Sequence, residues 1–442
     1  MNRFTSFFKK TLAAAVSAVM LMGSAVLPLQ AAAAWPTGPE TASESVILMD
    51  ADTNAVLYSK DPDRAMYPAS VTKIMTTLLA LEKGNLADNV TMTQTGVAYA
   101  VGGSSNLYTQ VGEIFTLEQL LYGTMLKSAN DMATQVGEYI GGTVEDFVAM
   151  MNARAEELGC TGTHFNNACG MPDPDHVTTV HDMALICQAA LKNEAFRTIA
   201  GTHSYTIPAT NMTADPRSFD NHNPLLVNPD YAYPGIIGGK TGYTDDALNT
   251  LATMVSQNGI TLIAVTFRAA DGGTAATDHR KLYDYGFNCF EHLELPEREF
   301  YTEGGYVTVP KGAAVADLTG EAFTDDNGNM TTAYAYADHK VGTTYMSAED
   351  AKAKAEYEAA QAEQGMTTTQ HKTNATFNPE LKVEKHTNPL LIVLGILGGL
   401  IVLFIIFLIV MAALRANQRK KRRRRRQLKR QQQRERERQN RR

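Results

Sequence analysis

Cysteine and tryptophan are scarce in this chain: 442 residues contain 4 Cys and 1 Trp. Cys160, Cys169, Cys187 and Cys289 show no Cys-x-x-Cys spacing, so neither a redox dithiol nor a zinc ribbon is encoded, and no disulfide framework is evident. Cys160 and Cys169 could pair across a loop in an oxidising compartment, or all could remain buried thiols. None of the 10 histidines falls in a His-Glu-x-x-His pattern, which argues against that class of metallopeptidase. His176, His181 and Asp182, at offsets of five and six residues, are a poor ligand set. Internal repeats are absent, and the only long uncharged apolar runs lie near the two ends.

Those ends differ in kind. Residues 1–34 place Arg3, Lys9 and Lys10 before a short apolar run that finishes in four alanines ahead of Trp35. A basic start, a core too short to span comfortably and small residues at its end read as an export signal, cleaved after about Ala34. Leu390 to Leu414, by contrast, contains no charge, and a helix of that length would cross the hydrocarbon layer with some tilt. Sixteen Lys/Arg against two Glu follow it. Such a basic flank marks the cytoplasmic side and suits anionic lipid better than nucleic acid. The formal charge of −7 therefore hides an acidic exported body and a basic inner tail. A single-pass protein of the plasma membrane with its body outside is expected.

Within the body, "SVILMDADTNAVLYS" alternates around a turn and predicts a β-hairpin over 45–59. Apolar spacing predicts a helix from Ser70 to Lys83, a helix–break–helix from Thr116, and another behind the Thr143-x-x-Asp146 cap. Two β runs meet at Asn258–Gly259, a hairpin signal. A last helix is predicted up to about residue 293. Strands at both ends and helices between suit an α+β domain with one antiparallel sheet over 35–294. A small β-rich module (295–346), a charged helix with polar linker (347–389), the span (390–414) and the tail (415–442) complete the expected order.

Chemistry concentrates in three short strings. Ser70 and Lys73 lie three residues apart at a predicted helix start, close enough for the amine to take the hydroxyl proton. A lysine partly removed from water has the lowered pKa that this needs. The string alone is weak, since Ser6 and Lys9 repeat it in the signal, and by itself it reads as a helix cap with a solvated lysine. Ser-x-Asn occurs at Ser104, Ser128 and Ser256, but only Ser128–Asn130 falls at a break between helices, where both side chains can face a cleft. There the serine could relay a proton and the asparagine hold an amide. Lys240-Thr241-Gly242 occurs once, among glycines that let a substrate backbone run beside a strand, with a cation and a hydroxyl for a carboxylate. The order Ser-x-x-Lys, Ser-x-Asn, Lys-Thr-Gly makes the combination far more specific than its parts.

These motifs, with "ILMDADTNAVLYSKDPDRAMYPASVTKIMT", "FTLEQLLYGTMLKSAND", "GCTGTHFNNACGMPDPDHVTTVHDMALI" and "IGGKTGYTDDALNTLA", resemble the D-alanyl-D-alanine carboxypeptidases, low-molecular-mass penicillin-binding proteins, over Ser45 to His292. The resemblance implies a β-lactamase/transpeptidase-like domain in which Ser70 is acylated, Lys73 is its base and Ser128 with Asn130 forms a second wall. Lys240 with Thr241 would receive the carboxylate, Gly242 and Tyr243 would also bind substrate, and the N–H groups of Ser70 and Tyr243 would form the oxyanion hole. Peptidoglycan stem peptides and β-lactam antibiotics would be its partners, with no metal, nucleotide or other cofactor. The chain departs from the family in reading "KSAND" where "PSGND" is usual, adding the cation of Lys127, and in carrying a full span where many members have an amphipathic helix. A β-lactamase on the same fold is disfavoured because no Glu-x-x-Leu-Asn string is present. A D,D-endopeptidase would use the same residues. A wall-sensing receptor would need an inner signalling module, for which the highly charged tail is too short.

Overall fold

The computed structural model describes residues 34–99, 103–296 and 298–363, all within one compact unit that runs to residue 375. The signal, the polar linker beyond 363, the span and the tail lie outside the described residues. No helix among the described residues is long and apolar enough to cross a membrane.

A five-stranded antiparallel sheet forms the centre. Its strands are β1 (Ser45–Asp50), β2 (Val56–Lys60), β3 (Ile236–Thr244), β4 (Leu248–Gln257) and β5 (Ile260–Ala269), in spatial order β2-β1-β5-β4-β3. The period of two in β1 explains why sequence-distant elements converge here. Ile47 and Met49 enter the core beneath the helical lobe, whereas Val46 and Leu48 enter the core beneath the helix Gly272–Cys289. Both faces are therefore covered, and β1 is buried along its whole length. The β4–β5 hairpin turns at Asn258 (φ 53°) and Gly259 (φ 82°), the paired positive values that its sequence signalled. β3 stands at the edge, so its outer backbone is available to an extended partner.

The helical lobe follows its caps. Thr116 and Gln119 close a capping box on Leu117–Met125, and the Thr143 side chain accepts from Asp146 N at the start of Val144–Glu157. Two expectations need correction. The helix predicted from Ser70 is a 3-10 turn, Ala69–Thr72, that passes into an α-helix only at Lys73–Lys83; the intrusion of β3 and the 165–172 loop tightens the turn. Gly272–Cys289 also ends earlier than its periodicity suggested. Phe290–Glu294 is a strand paired with Tyr306–Pro310, a long-range pairing that local spacing cannot announce. Beyond it, Leu318–Thr324, Met330–Tyr336 and His339–Met346 form a three-stranded sheet with its own core around Val307, Val309, Tyr336 and Val341. All four cysteines are free, Cys169 and Cys187 buried and Cys160 and Cys289 half-buried.

Candidate active site

Ser70 sits in a turn that the chain holds under strain. Ala69, just before it, has φ 51°, a left-handed value unusual for a residue with a Cβ. Thr250 Oγ1 donates to Pro68 O at 2.9 Å, and Thr72 Oγ1 donates to Ala69 O at 2.8 Å. Gly170 packs so closely that a Cβ there would lie 1.9 Å from Ala69 O. On the other side, a Cβ on Gly242 would come within 2.8 Å of Ser70 N, so only glycine lets β3 approach the serine.

Lys73 lies behind Ser70. Its Nζ donates to Ser70 Oγ at 2.9 Å, Asn130 Oδ1 at 2.8 Å and the Cys169 carbonyl at 2.6 Å, one acceptor for each ammonium hydrogen. Burial lowers its pKa to about 8, although the charge of Asp131 works the other way. Lys240, also buried, donates from Nζ to Thr241 O at 2.8 Å. Its pKa is driven well below the usual lysine range by burial and then by the like charge of Lys73.

Ser128 has φ 61° in the break between Leu117–Met125 and Asn130–Gly141, where the sequence placed it. Asn130 N donates to Ser105 O at 2.8 Å. Buried Asp131 accepts from Thr109 N at 3.1 Å and Thr109 Oγ1 at 2.9 Å, fixing the loop that forms one rim. Tyr243, 59% exposed, donates from its hydroxyl to Asp245 at 3.0 Å.

A cleft of about 720 Å³ runs between these walls, with Ser70, Ser128, Asn130, Thr241, Gly242 and Tyr243 on its surface. Six of the eight residues singled out from sequence line this cleft, and a seventh, Lys73, contacts two of them, Ser70 and Asn130. The eighth, Lys240, lies behind Thr241, so its charge acts from under the strand. Lys127 affects the cleft indirectly: His222 on the wall is held below the usual histidine range by burial, then by Lys240 and Lys127. His176 contacts Thr72, His181 contacts Asp63, and Asp182 accepts from Gly162 N at 2.8 Å and Thr163 Oγ1 at 2.7 Å. Sequence reasoning missed the Cys169 carbonyl, Gly170, Thr250 and Asp131. Backbone acceptors leave no residue signature, though the glycine-bearing turn "ACGMPD" was a usable hint.

A serine hydroxyl facing a buried amine, beside an edge strand, is the arrangement of a serine acyl-transfer site on a penicillin-binding α+β fold. Residues 31–271 match the family described as D-alanyl-D-alanine carboxypeptidase, peptidase S11. The chain is 32% identical over 262 residues to D-alanyl-D-alanine carboxypeptidase DacF of Bacillus subtilis, covering 58% of this chain and 65% of that protein, just under two thirds. It is 33% identical over 260 residues to DacB2 of Mycobacterium tuberculosis, covering 57% and 84% respectively. The crystal structure of the Streptomyces K15 DD-transpeptidase superposes with a TM-score of 0.54 at 31% identity, covering 57% of this chain and all (100%) of that one. This protein belongs to the D-alanyl-D-alanine carboxypeptidase family.

Proposed function

We propose that this protein is an exported, membrane-anchored serine D,D-carboxypeptidase that removes the terminal D-alanine from peptidoglycan stem peptides. The observation that carries the reading is the 2.9 Å contact between Ser70 Oγ and a fully buried Lys73 amine whose pKa is lowered to about 8. The neutral amine accepts the hydroxyl proton as Oγ attacks the penultimate carbonyl. Charge on the carbonyl oxygen is met by the N–H groups of Ser70 and Tyr243. The C–N bond then breaks, and D-alanine leaves with a proton returned through Lys73 and Ser128. Water, deprotonated in turn, releases the shortened peptide. Thr241 hydrogen-bonds the substrate carboxylate, Lys240 supplies positive potential from behind, and Asn130 holds the amide. β-Lactams present a strained amide and a carboxylate in the same arrangement and acylate Ser70.

Export and anchoring rest on the basic–apolar–alanine start and on the uncharged Leu390–Leu414 followed by the arginine-rich tail. The protein then sits in the plasma membrane with its catalytic body on the outer face. The full-length protein in detergent, given diacyl-L-Lys-D-Ala-D-Ala, is expected to release D-alanine steadily, with penicillin blocking release. Covalent penicillin uptake without D-alanine release would overturn the carboxypeptidase reading in favour of an endopeptidase.

A further inference from the structure

His176, outside the three motifs, is buried at 1% exposure behind the nucleophile turn. Its Nδ1 accepts from Asn166 N at 2.9 Å, so the ring proton resides on Nε2. That Nε2 lies 2.9 Å from Thr72 Oγ1. The threonine hydrogen is already directed to Ala69 O at 2.8 Å, so its oxygen accepts from the imidazole. The neutral ring this requires is consistent with burial, which lowers the His176 pKa to about 4. The hydrogen-bond chain thus runs from the Asn166 N–H through His176 and Thr72 to the accepting Ala69 carbonyl.

Its end point matters because the Ala69 carbonyl and the Ser70 N–H belong to one planar peptide unit and point in opposite directions. Fixing the carbonyl fixes the N–H. Ala69 is left-handed at φ 51°, so this plane would relax without a restraint. Gly170 presses on the same carbonyl and Thr250 holds the preceding one, leaving the Thr72 hydroxyl as the side-chain restraint on Ala69 O.

We propose that His176 and Thr72 are positioning residues that aim the Ser70 N–H at the developing oxyanion. The inference rests on the acyl-transfer reading above. Neither side chain touches substrate; each acts through the peptide plane. Aligned hydrogen bonds also polarise one another, which strengthens the terminal donor.

In the full-length protein, Thr72→Val and His176→Leu are expected to lower kcat and the penicillin acylation rate constant by about 10- to 100-fold, a part of what losing an oxyanion donor removes. KM should stay within about twofold, because ground-state contacts persist. The double variant should be no slower than the worse single one, since both break the same chain. Thr72→Ser and His176→Gln, which keep a donor at the same place, should recover most of the rate. Loss of melting temperature alone, with an unchanged rate per folded molecule, would overturn the proposal, as would multiplicative losses or no recovery by the conservative pair. If His176→Leu does not fold, the Thr72 pair carries the same comparison. Nitrogen NMR of His176 is independent of activity. A neutral Nε2–H tautomer at pH 7 is required, and an Nδ1–H tautomer or an imidazolium would refute the relay even if the enzyme proved inactive on these substrates.

Discussion

Two regions of this molecule bury charge, and they handle it in opposite ways. At the joint between the central sheet and the strands Phe290–Glu294 and Tyr306–Pro310, buried Asp50 is saturated. One of its oxygens accepts from Asp52 N at 2.8 Å and Thr53 N at 3.2 Å; the other meets His292 Nε2 at 2.7 Å and Thr308 Oγ1 at 3.0 Å. Asp52 completes a trio whose ligand atoms lie within 4.8 Å of one another, but the Asp50 lone pairs are already committed to this lattice. Behind the cleft walls two lysines are buried, among the described residues no carboxylate is hydrogen-bonded to either, and each is shifted toward its neutral form, chiefly by burial. Lys73 has an acceptor for each of its three hydrogens but no paired negative charge, so its burial leaves it ready to give up a proton. The joint holds its parts together, and the cleft is poised for proton transfer.

That contrast can be broken most severely at Ser70. Ser70→Ala should abolish both D-alanine release and covalent labelling by penicillin, read by a coupled D-alanine assay and by gel fluorescence of a labelled β-lactam. Retention of either activity would detach the chemistry from this serine. Lys73→Met removes the base and should lower the acylation rate by about 10²- to 10⁴-fold, the usual range for a positioned acid–base group. A pH titration sharpens the same point with a smaller effect. Acylation should rise with pH through about 8 as the Lys73 amine becomes neutral, about tenfold from pH 7 to 9. Stability has the same sign. The unfolded chain, with a lysine near 10.5, binds more protons than the folded one between about pH 8 and 10.5, so folding strengthens as pH rises across that window. A rate that is flat in pH would place the base elsewhere.

The smallest catalytic effect is expected at the joint. Asp50→Ala strands a threonine hydroxyl, a histidine and two backbone N–H groups, and should lower unfolding free energy by about 2–4 kcal/mol in urea titrations. Its kcat at temperatures where it remains folded should stay near the parent value. A large loss of kcat there would show that the joint reaches the cleft, and the division between holding and reacting would fail.

Sequence legibility followed the same division. The caps at Thr116 and Thr143, the Asn258–Gly259 hairpin and the break before Asn130 were all local and all readable. Phe290–Glu294 was misread as helix because its partner lies beyond a connecting loop, and pairing energy there overrides a weak local preference. The start of the nucleophile helix was misread for a similar reason. Packing by β3 and Gly170 converts its first turn to 3-10 geometry.

What the sequence by itself determined was a set of candidate site residues and their order: Ser70, Lys73, Ser128, Asn130, Lys240, Thr241, Gly242 and Tyr243 could be named because motif composition, motif order and family resemblance are written in residue type. Only the tertiary structure decided that Lys240 stands behind the cleft wall, that the Cys169 carbonyl takes a hydrogen bond from Lys73, and that His176 reaches the nucleophile turn through Thr72. Those features depend on burial, on backbone acceptors and on contacts between residues about a hundred positions apart. None of these has a signature in residue type or spacing, because each arises only when the chain has closed on itself.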